Sequence, residues 1–135
     1  MEDLVLSIDQ CKHLLELGLD MSDAKLCWLR EYAGRRFFVT PHSLLFEEDE
    51  TCIRTYTLQE VLEKLPKSIK YEWTTYCLFI DFVEGVIYYQ EFEDAMQNIL
   101  HENGYVGINL LDASYNMLCW VIENGYIENI SINKK

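Results

Sequence analysis

Cys11 and His13 are the first residues along the chain that can do chemistry together, as ligands for a metal such as zinc. They fall in a segment of helical spacing, where a separation of two residues is about 200° around the helix. The side chains diverge, and the spacing predicts no metal site. A thiol and an imidazole can also serve as nucleophile and base, but a catalytic thiolate needs partial exposure and a cation beside it. Cys27, Cys77 and Cys119 lie inside apolar runs (Leu26-Cys27-Trp28, Tyr76-Cys77-Leu78, Leu118-Cys119-Trp120), and His13, His42 and His101 are not placed to serve them. The five cysteines are odd in number and form no C-x-x-C pair. Cys27, Cys77 and Cys119 read as small buried hydrophobes, and free thiols imply a reducing, cytoplasmic compartment.

Carboxylates offer general acid and base chemistry. Glu91, Glu93 and Asp94 cluster, and Asp81 stands within an apolar run that reads as a strand. A carboxylate facing water on the open side of a sheet is the simpler reading of Asp81. The alternative is a pocket between sheet and helices, lined by Asp81, Tyr88 and Tyr115. The sequence carries no phosphate-binding glycine loop, serine nucleophile elbow, calcium loop or paired-histidine zinc motif. No cofactor or metal is expected, and catalysis is the less favoured class.

Charge is the stronger signal. The 135 residues carry a net charge of −12. From Tyr71 to Asn133 there is no Lys or Arg, while ten acidic residues fall there. Direct binding to nucleic acid or to an anionic membrane needs cations, so this stretch excludes both. It also holds twelve of the 18 aromatic residues. Tyrosine and tryptophan rimmed by carboxylates suit a protein-binding face for a basic partner. Trp73, Tyr76, Asp81, Tyr88, Tyr89 and Glu91 are the candidate surface, with self-association through the same rings as the competing use.

These residues need elements to position them. Ser7-Ile8-Asp9-Gln10 and Thr57-Leu58-Gln59-Glu60 are capping boxes, opening helices over 8–17 and 58–65 that Gly18 and Pro66 stop. Leu111, Tyr115, Leu118 and Ile122 set a helix over 110–123, closed by Asn124-Gly125. Residues 24–40 read as a hairpin, 43–46 as a short strand in an acidic loop, 69–73 as one strand, and 75–83 with 86–92 as a second hairpin. The stripe Phe92, Ala95, Met96, Ile99 and Leu100 fits a helix ending at Asn103-Gly104, with a mobile insertion between elements as the competing reading, and the alternation over 126–132 suits a short edge strand. The order α-ββ-α-βββ-(α)-α implies one α+β domain over 1–135, with an antiparallel sheet of about four to five strands and helices mainly on one face. The opening Met1-Glu2-Asp3-Leu4 has no apolar leader, and no apolar run reaches bilayer length.

Three patches of the chain carry a resemblance. They are Leu6 to Gln10 with Lys12-His13-Leu14, Tyr56 to Lys67, and Gly107 to Ala113 through Met117 to Trp120 and Ile122 to Ile127. Together they resemble small uncharacterised bacterial proteins of gut-bacterial genomes, prophages and mobile elements. The resemblance implies a shared fold and an accessory role. Together with the charge pattern it favours a non-enzymatic protein that binds another protein, against a ligand-binding enzyme or a structural homo-oligomer.

Overall fold

The computed structural model describes residues 4–30, 37–41, 52–91, 99–103 and 109–127. Among them are three helices and two antiparallel sheets, an α+β fold. The chain forms two compact units, the first ending at Glu60 and the second beginning at Val61.

The first unit contains α1 (Ile8–Glu16), β1 (Leu26–Arg30), β2 (Phe37–Pro41) and β3 (Ile53–Thr55). The α1 cap is reciprocal: Ser7 Oγ accepts the Gln10 N–H at 3.2 Å, and the Ser7 N–H donates to Gln10 Oε1 at 2.9 Å. Two of the four orphan amide donors of a helix start are thereby satisfied. The exit is a Schellman turn, with Gly18 at φ +94°, Gly18 N–H on Leu15 O and Leu19 N–H on Leu14 O. The sheet order is β2-β1-β3, so β1 is central, pairing Leu26 with Pro41 on one side and Thr55 on the other. β3 is too short to show an alternating pattern in the sequence, and the free edge of β1 selects it. α1 packs against β3. Leu6, Cys11, Leu14, Cys27 and Tyr56 are buried, and Trp28 Nε1 and Thr55 Oγ1 both donate to Leu6 O, at 2.8 and 2.9 Å.

Helix α2 (Leu58–Lys64) runs from the first unit into the second. Its capping box is also formed, with Thr57 N–H on Glu60 Oε1 at 3.0 Å and Glu60 N–H on Thr57 Oγ1 at 3.3 Å.

The second unit continues with β4 (Ser68–Tyr71), β5 (Thr74–Asp81), β6 (Val86–Glu91), β7 (Ile99–Asn103) and α3 (Leu110–Glu123), in sheet order β4-β5-β6-β7. α3 opens on Asn109, whose Oδ1 accepts the Asp112 N–H at 2.8 Å. It closes on Gly125 at φ +75° in a second Schellman turn, with Tyr126 N–H on Val121 O. The helix packs on β6 and β7 over a core of Ile87, Tyr89, Met117, Leu118 and Val121.

Three expectations change here. The strands divide between two sheets instead of forming one of four to five strands. Of the helix read into 92–103, residues 92–98 lie outside the described residues, and Ile99–Asn103 is a strand paired with β6 from Ile87↔Asn103 to Gln90↔Ile99 across a bulge at Tyr89/Gln90. β6 uses one edge for β5, and its second edge offers a row of amides and carbonyls that outweighs a weak local helical stripe. The strand read as 69–73 ends at Tyr71, where a turn begins. The expected strands at 43–46 and 126–132 lie wholly or largely outside the described residues.

Candidate functional site

Strand alternation decides where the candidate side chains go. Tyr89 and its register partner His101 both meet Trp120 of α3, the rings centred 6.3 and 4.3 Å away. That identifies the helix-covered face. Ile87, Tyr89 and Glu91 share it, as do Ile80, Leu78 and Tyr76 opposite them on β5. Asp81, Phe79 and Cys77 point to the other face with Val86, Tyr88 and Gln90. The six candidates therefore do not form one surface. Tyr76, Tyr89 and Glu91 belong to the helix side, Asp81 and Tyr88 to the opposite side, and Trp73 to a turn.

Tyr89 is corrected outright. It is fully buried, and its hydroxyl donates to Pro66 O at 2.7 Å. Burial pushes its phenol above the ordinary tyrosine range. Tyr88 and Tyr89 are consecutive in a strand, so one had to face the core. The signal was Ile87-Tyr88-Tyr89 opposite Phe79 and Leu78, but a two-faced apolar strand does not say which set the helix will cover.

Asp81 has a local explanation. Its Oδ1 accepts the N–H groups of Val83 and Glu84, each at 3.0 Å, and its carbonyl takes the Gly85 N–H at 2.8 Å. The carboxylate caps the β5–β6 turn.

On the face away from α3, Phe79 and Tyr88 stack with centroids 5.7 Å apart and planes within 17°. Glu102 of β7 stands opposite Tyr88, and Lys70 of β4 pairs with Thr75. Phe79 and Ile99 are exposed large hydrophobics. The two hairpin tips are more exposed still: Phe82 and Val83 at 69% and 94% on one, and Trp73 wholly exposed on the other.

The Trp73 turn was not legible beforehand. Tyr71↔Thr74 is the last pair of β4 and β5, leaving Glu72 and Trp73 as a two-residue loop. Both have positive φ, +49° and +70°. That is the type I′ pattern, normally filled by Asn-Gly, and neither Glu nor Trp marks it in a sequence. A left-handed conformation at a residue with a Cβ costs about 1 kcal/mol or more.

Among the described residues no group of three or more His, Cys, Asp and Glu is placed to hold a metal, and no helix is long and apolar enough to cross a membrane. Cys11, Cys27 and Cys119 are buried, and Cys52 and Cys77 are half-buried. Comparison of the chain with protein-family models, curated proteins and solved structures finds no match.

Proposed function

We propose that the protein is a non-enzymatic accessory protein that binds a basic protein partner through its second unit. The observation that carries this reading is the pairing of charge with exposed rings. Residues 61–128 hold eleven carboxylates and three lysines, all three before Tyr71. The same unit exposes Phe79, Phe82, Val83 and Trp73. Carboxylates steer a cationic surface into encounter, and aromatic side chains supply contact energy once water is excluded. The resemblance to proteins of prophages and mobile elements fits an accessory role in a reducing cytoplasm. The pocket reading loses its motive, because Asp81 is accounted for as a turn cap.

Native mass spectrometry of the protein captured from its own cells at low salt tests the reading. A stoichiometric basic protein that leaves as salt rises supports it. A bound small molecule on a bare monomer overturns it in favour of a ligand-binding protein. A salt-insensitive homodimer overturns it in favour of self-association.

A further inference from the structure

Accepting that the second unit binds a basic partner, we infer that Glu72 and Trp73, at the tip of the β4–β5 hairpin, are its receptor for an arginine side chain. The first ground is exposure. Among the described residues nothing covers the Trp73 ring, and Tyr71, two residues before it, is also exposed. An indole left in water contributes nothing to folding. The second ground is conformation. The two-residue turn holds both residues at positive φ, where glycine or asparagine would sit without strain. The hairpin thus carries two residues that its own fold disfavours, and backbone strain of this kind collects at binding sites.

The third ground is chemistry, and it selects the occupant. Tryptophan is the best aromatic acceptor for a cation over its face, and arginine is the cation that most often stacks there. Glu72 is adjacent, able to accept from the same guanidinium. No Lys or Arg follows in the sequence until Lys134. Lys70 is the nearest cation in the hairpin, one register pair back from Tyr71↔Thr74 and on the opposite face to Tyr71. An arginine from outside therefore meets an anionic tip with an open ring.

The probe is a fluorescein-labelled peptide of nine arginines, with a nine-lysine peptide for comparison, titrated by anisotropy at low salt. Wild-type protein should bind the arginine peptide more tightly than the lysine peptide. Trp73→Ala should weaken arginine-peptide binding roughly three- to thirty-fold, the span expected for a cation–aromatic contact, with its melting temperature unchanged or raised. The double variant Glu72→Asn with Trp73→Gly should lose at least as much affinity while melting higher, because it installs the preferred turn residues. If wild-type protein binds the arginine peptide and both variants bind equally well, the inference fails and the basic-partner reading stands. If wild-type protein does not bind it at all, the basic-partner reading itself fails. If the double variant melts lower than wild type, the turn is not strained and the inference fails.

Discussion

The carbonyl oxygen of Leu6 accepts from both Trp28 Nε1 and Thr55 Oγ1 in the interior of the first unit. Thr55 is fully buried, so Thr55→Val should cost about 1 kcal/mol, seen as a lower urea midpoint. Cys11 lies against the same carbonyl, and burial pushes its thiol up to about 11 from 9.0. The protonated thiol is favoured in the folded state. Its contribution is therefore complete below pH 9 and lost as pH rises through about 11. Melting temperature measured from pH 8 to 11 should fall in that window, and Cys11→Ser, which does not titrate, should fall less steeply. Ser114 presents the opposite case: its buried hydroxyl has no hydrogen-bond partner among the described residues. Ser114→Ala removes an unpaired group and should leave the protein as stable or up to about 1 kcal/mol more stable by calorimetry.

At the scale of elements, ends are set locally and pairings are not. Gly125 sits at φ +75° with open space where a Cβ would go. Gly125→Ala should therefore cost only the backbone strain, about 1 kcal/mol, read as a lower melting temperature with no change in fold. β7 illustrates the other rule. His101 stacks on Trp120 at 4.3 Å with planes within 2°, pinning β7 to α3. Burial lowers the imidazole below its ordinary 6.5, against the opposing influence of Glu102. The neutral ring is favoured in the folded state, so the stability it adds is present above 6.5 and lost as pH falls. Tryptophan fluorescence between pH 8 and 5 should report that loosening, and His101→Phe, which keeps a ring but cannot titrate, should give a flatter profile.

Across the whole molecule, a net charge of −12 on 135 residues opposes compaction through self-repulsion. Raising salt from about 10 to about 150 mM shortens the Debye length from about 30 to about 8 Å. The melting temperature should rise over that range, while affinity for a cationic partner should drop. The same ions have opposite effects because repulsion is internal and attraction is external. A melting temperature that does not respond to salt would show the carboxylates to be too dispersed to repel, and would weaken the steering argument with it.

Residues 7–10, 18, 57–60 and 124–125 declared their roles in the sequence, because caps and stops depend on atoms within four or five residues of one another. Strands β1, β2, β4, β5 and β6 were legible for a similar reason, since alternation is a local property, whereas the three-residue β3 and the helix-patterned β7 were not. Which edge of β6 would recruit Ile99–Asn103, and which face of the second sheet α3 would cover, depended on surfaces brought together from distant parts of the chain. Those choices buried Tyr89 while leaving Tyr88 on the opposite face, separating neighbours the sequence treats alike. The Glu72-Trp73 turn was decided the same way: the pairing of β4 with β5 leaves two residues to reverse the chain, whatever their own preference.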